Sequence, residues 1–135
     1  VPLRPMAAIG TDVARAKIFL EQGGVVGLPT ETVYGLAANA LDPDAVLRIF
    51  TVKNRPAFDP LIVHTDAVDH VARFVTDLPR PARRLAEAFW PGPLTLLLPK
   101  QDVVPDLTTS GLPTVAVRVP NHPLALELLR SLDFP

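Results

Sequence analysis

Residues 29–37, with the sequence PTETVYGLA, concentrate groups that could bind a small polar ligand. They bring together the hydroxyls of Thr30 and Thr32, the carboxylate of Glu31 and the phenol of Tyr34, directly after an apolar segment. Because ligands of α/β proteins gather where strands end, this loop is a candidate wall of a pocket. The same residues also suit an ordinary turn in which a threonine hydroxyl bonds to the backbone. The local pattern does not choose between the two.

The segment 53–56, Lys-Asn-Arg-Pro, follows a predicted helix and holds two cations close together. Arg55 offers a planar fork of donors and Lys53 a point charge, a combination that suits phosphate. Cations at the end of a helix also complement the helix dipole with no ligand present. Both interpretations stay open at this point.

His64 and Arg118 are polar residues attached to apolar runs. His64 ends the run 61–63, where it could face a ligand or serve as a hydrogen-bonded packing residue. Arg118 lies inside the β-branched run 115–119, and strand alternation places its side chain on the face opposite Val117 and Val119. A charge in such a strand is costly unless it is paired or faces a ligand.

Alternating helices and strands are predicted to position these residues. The predicted helices run from a cap at Thr11 to about 22, from Asp42-Pro43 to about 50, from a cap at Thr65 to about 75, over 81–89, and from Asn121 to about 132. The predicted strands are 25–28, 61–63 (buried on both faces), 94–98 and 114–119, and 101–113 is expected to be irregular. Helices and strands that interleave without an internal repeat indicate an α/β fold.

The composition limits the function classes. Of the 135 residues 48% are hydrophobic and 20% charged, which argues against disorder. A net charge of −1 excludes a strongly basic nucleic-acid binder, although a local patch such as Arg80, Arg83 and Arg84 could still contact RNA. With no cysteine and three widely spaced histidines, we expect no resident metal site, no disulfide framework and a cytoplasmic location. No apolar run approaches membrane-spanning length.

Five motifs occur in an order that resembles the YrdC-like family: PTETVYGLA, KNRP, PLIVH, FWPGPLT and VAVRVP. The sequence is similar to the L-threonylcarbamoyladenylate synthases across almost its whole length. The resemblance implies a twisted mixed sheet with flanking helices and a large concave cavity. It also implies the combination of L-threonine, bicarbonate and ATP, with Mg2+, into threonylcarbamoyl-AMP and pyrophosphate. Downstream transferase proteins would use this product to make threonylcarbamoyladenosine in tRNA.

The resemblance also implies roles for individual residues. Thr32, His64 and Arg118 match threonine-binding positions, with Arg118 facing the substrate carboxylate. Arg55, Asp59 and Thr114 match ATP contacts, although many relatives carry asparagine where Asp59 stands. Lys53 and Arg55 are the cations expected to act in the adenylation step.

The relatives continue into a Ser-Ala-Asn-x-Ser-Gly segment that this sequence does not contain. We therefore expect residues 1–135 to be one YrdC-like domain that is incomplete at its C-terminus, and the fragment alone to be inactive. Two other functions stay open. One is an RNA-binding module on the same fold, with direct RNA or tRNA contact. The other is a relative of the carbamoyltransferase and hydrogenase-maturation proteins.

Overall fold

The computed structural model describes residues 12–30, 34–53 and 60–135, with the side chain of Tyr34 excepted. The helices are α1 (Val13–Glu21), α2 (Pro43–Lys53), a 3-10 helix (Val68–Arg73), α3 (Arg80–Phe89), α4 (Asp106–Thr109) and α5 (Pro123–Ser131). The strands are β1 (Val26–Pro29), β2 (Tyr34–Ala37), β3 (Ile62–His64), β4 (Leu96–Pro99) and β5 (Thr114–Arg118). No helix in these ranges is long and apolar enough to cross a membrane.

The described strands form two small sheets. β1 and β2 pair antiparallel, with Val26 opposite Ala37 and Pro29 opposite Tyr34. The second sheet has the order β3-β5-β4, in which β5 is parallel to β3 and antiparallel to β4. The predicted mixed α/β architecture with flanking helices is confirmed.

One face of the three-stranded sheet carries the main core. Val63, Val115 and Val117 point to this face because side chains alternate along a strand, and each is at most 2% exposed. Phe74 and Ala86 pack against them from the 3-10 helix side and from α3. Strand alternation in the run 115–119 is thus confirmed, with the valines directed into the core.

A second apolar cluster joins α1, α5 and β1. Its buried members are Leu20, Leu128 and Leu132, with Leu28 and Phe134 packed against them. Both clusters contribute to the lining of the cavity described below, Val63 from the first and Leu20, Leu128 and Leu132 from the second.

The predicted helix cap is confirmed at α2 and differs at α1 and α5. Asp42 accepts hydrogen bonds from the amides of Asp44 (3.0 Å) and Ala45 (3.4 Å), and α2 begins at Pro43 as predicted. The cap of α1 is Asp12, because its carboxylate accepts a bond from Arg15 N, whereas Thr11 lies outside the described residues. The cap of α5 is His122 rather than the predicted Asn121.

Four other predictions need correction. Thr65 caps no helix, since the element that follows is a 3-10 helix whose N-cap is Ala67. β3 is not buried on both faces, because Ile62 is 45% exposed. Residues 34–37 form a strand rather than a loop, and 101–113 contains α4. The strand at 34–37 was missed because its pairing with β1, not local propensity, decides it.

Candidate functional site

The face of the three-stranded sheet opposite the core is the first component of the site. The register pairs Ile62 with Ala116, and His64 with Arg118, so these four side chains share one face. Leu97 pairs with Ala116 from the other side and is 71% exposed. This open face is therefore apolar at its centre and polar at the end where β3 and β5 finish.

His64 and Arg118 lie side by side on this face. They are Cα partners on neighbouring parallel strands, which places their backbones roughly 5 Å apart. His64 is half-buried, its Nδ1 lies 3.3 Å from the carbonyl oxygen of Ile62, and its Nε2 is buried. The structure thus brings together two of the residues that the sequence singled out, although they are far apart along the chain.

Arg118 is a buried cation whose position is fixed by hydrogen bonds. Its side chain is 8% exposed, and its Nε donates to the carbonyl oxygen of Gly92 at 3.2 Å. Its own backbone carbonyl accepts a bond from Thr65 N at 3.0 Å. A guanidinium at this depth is costly unless polar partners surround it, so the site is suited to an anionic group.

A cavity of about 300 Å³ is lined by β3 over its whole length, including His64. Its polar lining includes Thr30, Lys53, His64 and Thr108. Its apolar lining comes from β1, β2, α2, β3, α5 and residues adjoining them, among them Leu28, Val46, Ile49, Leu61, Leu128, Leu129 and Phe134. The described part of the chain therefore contains a mainly apolar pocket with a few polar groups, the usual character of a small-molecule site.

The position of Lys53 agrees with both interpretations of the segment 53–56, a ligand contact and a cation at a helix end. It is the last residue of α2, where a cation complements the helix dipole, and it also lines the cavity. His64 lines the same cavity, so the cation and the imidazole both border one space.

Thr108 is a cavity residue that sequence reasoning missed. It is 1% exposed, and its hydroxyl donates to the carbonyl oxygen of Ala40 at 2.9 Å. The short helix α4 holds it against the segment before α2, a contact between residues far apart in sequence. No local pattern in 101–113 could have shown this.

Thr114 does not lie beside Arg118. Both side chains are on the open face, but they sit at opposite ends of β5, roughly 13 Å apart along the strand. Thr114 pairs with Pro99 of β4, and neither Thr114 nor Arg118 is among the described residues that line the cavity. If both bind substrate, they contact different parts of it.

Three of the predicted site residues, Thr32, Arg55 and Asp59, lie outside the described residues. Glu31 and Asn54 of the same motifs do too. Among the residues that are described, no group of three or more His, Asp or Glu side chains could hold a metal ion.

Comparisons with known proteins give this geometry a context. The family model that covers Sua5, YciO and YrdC, described as "Telomere recombination", matches residues 18–135. A threonylcarbamoyl-AMP synthase of Pyrococcus abyssi is 52% identical over 117 residues, which is 87% of this chain and 34% of that protein. The synthase of Bacillus subtilis is 47% identical over 124 residues, or 91% of this chain and 36% of that protein.

A solved structure shows the same fold. The crystal structure of P. abyssi Sua5 complexed with L-threonine matches with a TM-score of 0.86 and 50% sequence identity. The match covers 92% of this chain and 37% of that one. The chain thus spans about a third of the length of these relatives.

Proposed function

Because the chain belongs to the Sua5/YciO/YrdC family, we propose that it carries the substrate-binding part of an enzyme that makes L-threonylcarbamoyl-AMP. The substrates are L-threonine, bicarbonate and ATP, and the second product is pyrophosphate. The observation that carries the proposal is the pairing of His64, which lines the cavity, with Arg118 on the neighbouring strand, in a chain 52% identical to a synthase of that name.

The polar end of the sheet is the proposed threonine subsite. A guanidinium binds a carboxylate through two parallel N–H···O bonds, so Arg118 suits the threonine carboxylate. His64, one strand away, is close enough for the same small molecule to contact both. Thr32, which lies outside the described residues, is proposed to complete this subsite. A P. abyssi relative of the same fold was crystallised with L-threonine, which supports this choice of ligand.

The second subsite is proposed to hold ATP. Lys53 and Arg55 supply positive charge for the phosphates, and Thr114 and Asp59 are proposed to contact other parts of the nucleotide. Mg2+ would enter with the triphosphate, because phosphate oxygens and water are its preferred ligands. Its role is to neutralise charge on the phosphates.

The reaction asks the protein mainly to position its substrates. The threonine ammonium first loses a proton, and the neutral amine then attacks bicarbonate to give a carbamate and water. A carbamate oxygen then attacks the α-phosphorus of ATP, and the bond from that phosphorus to the departing pyrophosphate breaks. Holding the reactants together can lower the barrier by about 7–11 kcal/mol. The proposed cations Lys53, Arg55 and Arg118 offset repulsion among the anionic groups and stabilise charge that develops at phosphorus.

The test is pyrophosphate release by the full-length protein. We expect release from ATP only when L-threonine and bicarbonate are both present. Reactions that omit either one, or that replace L-threonine by L-valine, are the controls. Pyrophosphate release that ignores threonine and bicarbonate would overturn the proposal.

The remaining parts of the proposal concern partners and place. The product would pass to the tRNA threonylcarbamoyl transferase proteins, and the location would be the cytoplasm.

Direct RNA contact has less support. Arg83 of the basic patch on α3 lies 3.4 Å from an Asp69 oxygen and 3.5 Å from a Glu87 oxygen, so acidic groups accompany it. RNA affinity that falls steeply with salt and depends on Arg80 and Arg84 would restore that alternative.

A further inference from the structure

The residues 90–93, here called the WPGP turn, connect α3 to β4 and touch the end of β5. Trp90 ends α3, where its amide donates to the carbonyl oxygen of Ala86 at 2.8 Å. Its indole Nε1 donates to the carbonyl oxygen of Leu94, also at 2.8 Å, and so bonds one end of the turn to the other. The turn is therefore held from both sides.

Gly92 joins this turn to β5 through two hydrogen bonds in opposite directions. Its amide donates to the carbonyl oxygen of Val119 at 2.8 Å. Its carbonyl accepts the bond from Arg118 Nε at 3.2 Å. The two partners, Arg118 and Val119, are consecutive residues. The hydrogen bond from the Gly92 amide to Val119 therefore holds the Gly92 carbonyl in position to accept the bond from Arg118 Nε.

Only glycine fits at this position. Gly92 is buried, and a Cβ built on it would lie 2.5 Å from the carbonyl oxygen of Phe89, in the last residue of α3. Atoms of a rigid helix backbone cannot yield by that amount. A side chain at residue 92 would therefore move the turn, and the Gly92 carbonyl with it.

The hydrogen bond at Arg118 Nε also determines how the guanidinium is oriented. The guanidinium is planar, so a bond that fixes the Nε–H direction also fixes the plane in which the two terminal nitrogens lie. A carboxylate is recognised in that plane. Displacing the acceptor would turn the plane while leaving the charge in place.

We propose that Gly92 and Trp90 are positioning residues that set the orientation of the Arg118 guanidinium for carboxylate binding. This inference rests on the proposed function, in which Arg118 binds the carboxylate of threonine. Neither residue needs to touch the substrate. Their effect passes through the hydrogen bond between the Gly92 carbonyl and Arg118 Nε.

A double-mutant cycle in the full-length protein tests this, with KM for threonine and KM for ATP as the measured quantities. We expect Gly92→Ala to raise KM for threonine about tenfold, the effect of losing one hydrogen bond to a charged group, and KM for ATP less than twofold. In an Arg118→Lys background, which has no Nε–H, Gly92→Ala should add less than twofold. Gly27→Ala is the matched control, since a Cβ there meets nothing within 4 Å.

Additive effects in that cycle would overturn the inference, because they would show that Gly92 acts without Arg118. If Gly92→Ala does not fold, Trp90→Phe enters the same cycle, since it keeps an aromatic ring but removes the donor to Leu94. We expect a threefold rise in KM for threonine, and an unchanged KM would count against the proposal just as directly.

A second readout separates this inference from the proposed function. In NMR spectra of the uniformly ¹⁵N-labelled protein, the Arg118 Nε–H should exchange with water faster in both variants than in the parent. That change is expected whichever reaction the protein catalyses. Unaltered exchange in both variants would overturn the inference, whereas loss of threonine dependence in the parent protein would overturn the function alone.

Discussion

His64 and Arg118 are paired residues on adjacent parallel strands, and their side chains share the face of the sheet that the core leaves open. His64 follows Val63, and Arg118 follows Val117. Both valines point to the opposite face, and each is at most 2% exposed. The packing of the two valines thus determines where the imidazole and the guanidinium lie. The pairing of His64 with Arg118 is the basis of the first two predictions.

Replacing Arg118 should weaken threonine binding more than ATP binding. We expect Arg118→Ala to raise KM for threonine by about 10- to 100-fold, the range for a lost hydrogen bond to a charged group, with KM for ATP changed less than threefold. Steady-state kinetics of pyrophosphate release measure both constants. Equal losses for the two substrates would show that Arg118 does not bind threonine.

His64 and Arg118 should not act independently. We expect His64→Ala to raise KM for threonine, and the double variant with Arg118→Ala to raise it by less than the product of the single effects. The reason is that both side chains contact one small molecule, so losing the first contact already releases it from the second. Strict multiplication of the two effects would mean that the two side chains contribute independently, and it would contradict this coupling.

Lys53 should affect the rate of adenylation. Lys53→Ala is expected to lower kcat about 10- to 100-fold, because the cation stabilises charge that develops at phosphorus. Arg130→Ala is the matched control, since Arg130 is also a cation in the last turn of a helix but is not among the residues that line the cavity. Single-turnover measurements distinguish the chemical step from product release. A Lys53→Ala enzyme with parental turnover would contradict the role.

Phe74 should contribute strongly to stability. It is 1% exposed and packs in the main core, so Phe74→Ala should lower the free energy of unfolding by about 3–5 kcal/mol. Val52→Ala is the control, because Val52 is 65% exposed and its replacement should change that energy by less than about 0.5 kcal/mol. Urea denaturation followed by circular dichroism measures both. Similar values for the two variants would mean that this cluster is not the main core.

Local signals in the sequence were sufficient for several elements. Asp42 followed by proline marked the start of α2, since a capping carboxylate and a fixed φ angle act within one turn. The same local signals failed where two candidates stood side by side. Asp12 caps α1, and His122 caps α5. Either neighbour could accept the bond, and the path of the entering chain decides which one does.

Elements that form only through contact with another part of the chain could not be predicted from a single segment of the sequence. Residues 34–37 contain glycine and alanine, which have little preference for strands, and they form β2 because β1 lies alongside. Thr108 reached the cavity wall in the same way, through a hydrogen bond to a residue near α2. Such contacts form only when distant parts of the chain meet.

The sequence by itself determined the chemistry that is available: a hydroxyl-rich loop, a pair of cations at a helix end, a histidine after a strand, and an arginine whose face is set by alternation. The tertiary structure decided which of these meet. It paired His64 with Arg118 and brought the Gly92 carbonyl to the guanidinium. Alternation is a property of one strand, but register and turn contacts arise only when separate segments pack together.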